Sequence, residues 1–308
     1  MAKTASLLTA SLAALCFLTS PAAAQNVRSF VSAATGADSN PCTRTSPCRT
    51  FAAALTKTNA GGEINTLDPG GYGPVTIAKA MSIVSGLGEA GVLVPANGTG
   101  VTINAGPNDA VNLRGLIVEG AGVGATGIAF NSGGSLTIEN MVVRNLTSSG
   151  IAIAPTAAAD ISVSNTLVAN NGGHGIYIQP SGANIGAVRA TFNHVEVDKN
   201  VQKGIGIFGN AISGASSVNA IAIDCVAAYN DAGYYALGSS VLRVFRSAAN
   251  YNAVAADADG NSQIFVSQSN LEGNTNVWAW DAMDGAVINS YGDNYTEGSI
   301  APATIGRN

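Results

Sequence analysis

Charge is scarce in this chain of 308 residues: only 11% are Asp, Glu, Lys or Arg, and 19 acidic residues face 14 basic ones, a formal net charge of -5. So thin and negative a balance lacks the basic patch that a nucleic-acid backbone requires, and neutral or cationic partners suit it better. Histidine occurs twice and cysteine four times, with no paired spacing that would hold zinc and no thiol-catalytic signature, so cofactor chemistry is not expected. Aromatic residues amount to 6%. After the first two dozen residues no apolar run reaches the ~20 residues of a membrane-crossing helix. Past residue 60 no amphipathic pattern with capping signals occurs, which argues against a solenoid of alternating strands and helices.

At the start, Lys3 precedes an apolar run from Leu7 to Leu18, and Pro21-Ala22-Ala23-Ala24 follows. That order predicts a secretory signal peptide over residues 1–24, cleaved near Ala24, and a secreted or periplasmic protein. Cys16 leaves with it. In an oxidising compartment Cys42 and Cys48, separated by a short spacer and flanked by Pro41 and Pro47, are expected to form a disulfide. Cys225 lies in an apolar strand pattern and is expected to be a buried free thiol.

Glycine is abundant, 37 residues, and 46% of the chain is hydrophobic, enough to bury a core. Apolar anchors recur roughly every two dozen residues at Leu113, Ile138, Val163, Phe192, Ile223, Val244, Val266 and Ile288. A second series follows at Ile128, Ile151, Ile176, Ile205, Tyr234, Val254 and Val277. Between them stand Asn145, Asn170, Asn200, Asn230, Asn250, Asn274 and Asn294, a residue type that accepts a left-handed corner and whose amide can bond to its counterpart one coil on. Glycines 127, 150, 175, 204 and 233 precede the second anchors and are assigned to the next corner. In Ser135-Leu136-Thr137-Ile138-Glu139 apolar and polar residues alternate, as in a strand with one buried face. The pattern predicts an all-β, right-handed parallel β-helix.

Phe30-Val31-Ser32 with Thr35-Gly36, the Asn-Pro-Cys and Pro-Cys-Arg-Thr-Phe stretches, Gly61-Gly62-Glu63-Ile64 and Leu67-Asp68-Pro69-Gly70-Gly71-Tyr72 resemble the start of secreted bacterial β-helix proteins of the pectin-lyase-like superfamily. The resemblance implies a short helix capping the open N-terminal end, and Arg49 to Lys57 is the matching segment. The chain then divides into an N-terminal strand and capping helix (25–62), solenoid coils (63–298) and a tail (299–308). The superfamily includes lyases, hydrolases, epimerases and phage tailspikes, so activity has to be argued from the site.

No catalytic residue is assigned. Gly172-Gly173-His174-Gly175 is similar to the Gly-His-Gly signature of polygalacturonases, but Asn165-Thr166 is followed by Leu167 instead of the acid of that family's Asn-Thr-Asp triplet. On the stripe that follows the first anchors, Glu139 and Asp224 lie three coils apart, about 14 Å at about 4.8 Å per coil, too far to share an ion or to act as a glycosidase pair. Asp257, Asp259, Asp281 and Asp284 are expected to stack in adjacent coils and could hold calcium, the one cofactor the sequence suggests. Outward positions after the second anchors carry Tyr177, Tyr235 and Trp278, with Phe208 and Trp280 two residues further on. Such a ladder could stack sugar rings. The leading expectation is a non-catalytic binder of a polysaccharide or other surface ligand. The alternatives are a lyase or hydrolase acting on an acidic polysaccharide such as pectin, and an oligomeric tailspike-like fibre.

Overall fold

A computed structural model describes residues 26–86, 89–181, 186–209, 217–275 and 280–296. It is a parallel β-solenoid in which every named strand pairing is parallel. Each full coil contributes two segments to a large sheet that bends at a corner and one to a separate nine-stranded sheet, giving three faces. The first is represented by Ala110–Arg114, Ser135–Glu139 and Val218–Ile223, the second by Leu116–Glu119, Val142–Arg144 and Val226–Ala228. The third, the separate sheet, includes Ile151–Ile153, Ile176–Ile178, Ile205–Phe208, Ala232–Leu237, Val254–Asp259 and Trp280–Ala282.

The bends are made by single residues with positive φ. Asn140, Asn165, His194, Asp224, Arg246 and Gln268 turn the chain from first face to second, and Asn145, Asn170, Lys199, Tyr229 and Tyr251 turn it off the second. Asparagine suits such positions because its short polar side chain tolerates the left-handed region. Beside the second corner lies a ladder of buried Asn171, Asn200, Asn230 and Asn252, continued by half-buried Asn274. The Nδ2 of each donates to the Oδ1 of the next at 2.8, 3.0, 3.1 and 3.3 Å. Backbone N–H groups of Asn200, Asn230 and Asn252 donate to the Oδ1 atoms of Asn230, Asn252 and Asn274, and that of Leu146 to the Oδ1 of Asn171. The amide stacking expected from the sequence is therefore present, but Asn171 and Asn252 hold the places assigned to Asn170 and Asn250.

Inside, side chains stack in columns. On the first face Leu113, Ile138, Val163 and Phe192 align as expected, but the column continues through Ala222, Val244 and Val266. Ile223 is displaced by one residue and points outward, and Ile288 pairs with Ile264. On the third face the column is Val101, Ile128, Ile151, Ile176, Ile205, Tyr234, Ala256 and Trp280. Val254 pairs instead with Ala232, and Val277 lies outside the described residues. The five aliphatic side chains from Val101 to Ile205 are fully buried, each contributing about 1.5–3 kcal/mol relative to exposure.

Glycines 127, 150, 175, 204 and 233 are not at left-handed positions. A Cβ on Gly175 would lie 2.7 Å from the carbonyl oxygen of Gly204, and one on Gly204 2.7 Å from that of Gly233. They let neighbouring coils approach, a different reason from the one the sequence suggested.

At the N-terminal end the helix Phe51–Lys57 begins where Thr50 accepts a hydrogen bond from the backbone N–H of Ala53 at 3.1 Å, a standard cap. It packs against Asn26–Val31, Thr58–Thr66 and Val75–Ile77. Phe51 stacks on Tyr72 with centroids 5.0 Å apart. Cys42 and Cys48 form the expected disulfide, Cα atoms 4.6 Å apart, and Cys225 is a buried free thiol. Burial first, then the neighbouring backbone and charge, leave that thiol at about 11. No helix among the described residues is long and apolar enough to cross a membrane. The expected signal peptide (1–24) and tail (299–308) lie outside the described residues.

Candidate functional site

The third face gathers the chemistry. Ile176–Ile178 and Ile205–Phe208 are adjacent strands, and Ala232–Leu237 follows. Their alternation sends Ile176, Ile178, Ile205, Ile207, Tyr234 and Ala236 into the core, leaving Tyr177, Gly206 and Tyr235 in one outward row. Gly206 would break the row of rings, yet its missing side chain is what completes it. A Cβ there would lie 2.8 Å from Cε2 of Phe208, so the Phe208 ring folds back over the glycine.

The rings then form a continuous cluster. Tyr177 and Phe208 meet edge to face at 6.4 Å, and Phe208 and Tyr235 lie 5.2 Å apart. His174 joins from the preceding turn, 5.3 Å from Tyr177 and 5.4 Å from Phe208. Aromatic pairs at such distances add about 0.5–1.5 kcal/mol beyond the area they bury. Tyr177 and Phe208 are half-buried and Tyr235 is buried.

Lys203, unremarked in the sequence, anchors this cluster electrostatically. Its ammonium lies 4.7 Å from the Tyr235 ring centroid and donates to Asp231 at 2.8 Å and Asp257 at 3.0 Å. It occupies the position in its coil that His174 holds in the coil before, each preceding a glycine. Ala232, small, holds the same position in the next coil and leaves room for the lysine to reach Asp257. Burial works against the Lys203 charge, but the two carboxylates outweigh it and raise its pKa. At Asp257 burial leads: it pushes the carboxyl up, Lys203 pulls it down, and Asp281 and Asp231 push it up again. Burial, then the Lys203 charge, lowers His174. The Nδ1 atom of His174 accepts the backbone N–H of Lys203 at 3.3 Å, which puts the proton of the neutral ring on Nε2.

One expected ring position differs. Trp280 does not point outward: its strand pairs so that Trp280 stacks on Ala256 in the core, where the small alanine leaves room for the indole. Trp278 lies outside the described residues. Of the four aspartates proposed for calcium, Asp257 and Asp281 are in register on adjacent strands, Asp259 ends its strand, and Asp284 sits in an exposed turn. Among the described residues no three His, Cys, Asp or Glu side chains gather closely enough to hold a metal ion.

The stripe beside the first anchors is also reassigned. Asp224 is a corner residue, one position beyond the stripe, because Ala222 and not Ile223 fills the core. Asp224 pairs with Arg246 at 2.9 Å, and Glu139 with Arg114 at 3.7 Å. The first face otherwise carries an open hollow of about 530 Å³ lined by Thr137, Ser162, Thr191, Ile221, Arg189 and Arg243 among others.

Residues 92–213 match the family described as the right handed beta helix region. Among solved structures, pectate lyase Pel9A is similar at a TM-score of 0.60 and 15% identity, over 89% of this chain and 78% of the lyase. The ORF18 protein of Geobacillus virus E2 is similar at a TM-score of 0.51 and 12% identity, over 88% of this chain and 62% of that one. A rhamnogalacturonan lyase aligns at a TM-score of 0.44 with 15% identity, over 79% of this chain and 75% of its own. No curated protein sequence matches. Coil geometry, the repeat and the family match over residues 92–213 agree on a right-handed parallel β-helix, the fold that the chain shares with pectate lyase Pel9A.

Proposed function

We propose that this protein binds a polysaccharide along its third face without cleaving it. The observation that carries the reading is the file of Tyr177, Phe208 and Tyr235 across adjacent coils. Sugar rings present apolar C–H faces that stack on aromatic surfaces, while carboxylates and the imidazole N–H meet their hydroxyls. The similarity to a pectate lyase supports a glycan as the ligand class. Two features support binding over catalysis. A general base needs an open lone pair, and the His174 Nδ1 lone pair is engaged by a backbone N–H. The Lys203 ammonium, held by two carboxylates and raised in pKa, stays protonated and offers no lone pair either.

The test is a panel of neutral and charged polysaccharides on the purified protein, following retention together with the 235 nm absorbance of unsaturated uronate products. Retention without absorbance, weakened about tenfold in Phe208→Ala, is the expected result. Rising absorbance would replace this reading with a lyase.

A further inference from the structure

Around Tyr235 the anions outnumber the cations. Asp257 lies in register beside Tyr235 and Asp281 beside Asp257, Asp259 follows two residues after Asp257, and Asp231 shares Lys203 with Asp257. Among the described residues Lys203 is the one cation set among these four carboxylates. The Asp257 Oδ1 atom is buried without a hydrogen-bond partner among the described residues, and its residue is 8% exposed, so the lysine leaves acceptor capacity unused. Asp259 and Asp281 are half-buried and form no ion pair among the described residues.

The protein already shows how this surface treats an ammonium. The Lys203 Nζ sits against one aromatic face and between two carboxylates, an arrangement that combines cation–π attraction with charge-assisted hydrogen bonds. Resting on the binding reading above, we infer that the third-face ligand is a glycan bearing free amino groups. Its sugar rings lie on Tyr177 and Phe208, and its ammonium groups meet the Asp259 and Asp281 carboxylates at the Tyr235 end, beside Asp257. A uronate chain would instead bring carboxylates to a row of aspartates spaced about 4.8 Å apart. A bare metal ion would make no use of the rings.

Isothermal calorimetry on the full chain near pH 6, where the ligand's free amines are protonated, separates these ligands. The probes are hexamers of glucosamine, N-acetylglucosamine, glucose and galacturonate, with hexalysine as a charge-only cation. The glucosamine hexamer is expected to bind about tenfold more tightly than its acetylated form or the glucose hexamer, with galacturonate weakest. Asp281→Asn and Asp259→Asn should each remove about three- to fivefold of that preference, read as the ratio of glucosamine-hexamer to glucose-hexamer affinity. Asp160→Asn, a change of equal charge on the first face, should alter nothing. Equal affinity for amino and acetylated sugars, tight binding of galacturonate, or hexalysine matching the glucosamine hexamer would each overturn the inference. Neutral hexamers that bind, lose affinity in Phe208→Ala and gain nothing from amines would sink it while leaving the polysaccharide reading intact. If no hexamer binds, both readings fall.

Discussion

Arg189 on the first face and Lys203 on the third both meet carboxylates, and their surroundings decide what the meeting does. Arg189 grips Asp160 with two bonds, at 2.6 and 2.7 Å, yet its side chain is 72% exposed and that of Asp160 55%. Water competes for every charge in that pair, so good geometry adds little. Lys203 is 19% exposed and Asp257 12%, and the aromatic cluster beside them excludes part of the solvent. There a missing partner would leave a charge stranded. One β-helix thus carries an open face whose charges neutralise each other in water, and a second whose charges depend on one another.

The largest effect should come from beneath the corners, where one column serves the whole coil. Asn200→Ala removes an amide bonded to Asn171, Asn230 and the Val168 carbonyl, and leaves buried groups unpaired. It should cost about 3 kcal/mol, read from urea unfolding, and weaken both faces alike. Lys203→Met should cost roughly 2 kcal/mol, with part of the loss recovered when Asp257→Asn is added. If the single change is harmless, the contrast between the faces is wrong.

Acid should separate the solenoid's ends. Burial raises the Asp68 carboxyl, but hydrogen bonds from Ser32 and Tyr72 and from the backbone of Ala33 and Ala34 outweigh it and lower it from 3.8 to about 2. Its contribution is fully present above 3.8 and is lost as the pH falls through about 2. Asp257 is shifted the other way, so its protonation favours the fold, and its contribution is present in acid and fades as the pH rises through the folded value. Hydrogen exchange followed from pH 5 toward about 2 should show residues 26–72 opening while the strands of Asp257 and Asp281 keep their protection. The smallest effect belongs to Arg189→Met, which should leave both the urea midpoint and glycan retention unchanged. A shift comparable to that of Lys203→Met would erase the distinction between the faces.

Much of this was legible in the residues, and the exceptions have physical causes. The first-face column reads directly from Leu113 to Phe192 because apolar and polar residues alternate there. It fails at Val218-Asn219-Ala220-Ile221-Ala222-Ile223, where small and large apolar residues alternate and hydrophobicity cannot say which side is inside. Volume decides: opposite the bulky Phe192 the interior takes Ala222 and sends Ile223 outward. The same trade of size places Trp280 on Ala256. Tyr177, Phe208 and Tyr235 were visible as a ladder, although the closeness of Phe208 depends on Gly206 two residues earlier. Lys203 left only a faint signal: it and His174 precede equivalent glycines, and its carboxylate partners come from two later coils.

The asparagine ladder also gives the rod a direction of growth. Asn200, Asn230 and Asn252 each reach back to a carbonyl of the coil already laid down and pass a donor forward to the next amide, as Asn230 does with Val197 and Asn252. A finished coil therefore offers the incoming one a single docking point at a fixed height, much as a crystal step offers a kink site to the next molecule. One residue inserted between two asparagines would misplace every later unit, whereas an excursion that returns to the same point costs only its loop closure. Length can thus vary between asparagines but not at them, and sequence drift in such a rod should collect in the arcs while its lattice points stay put.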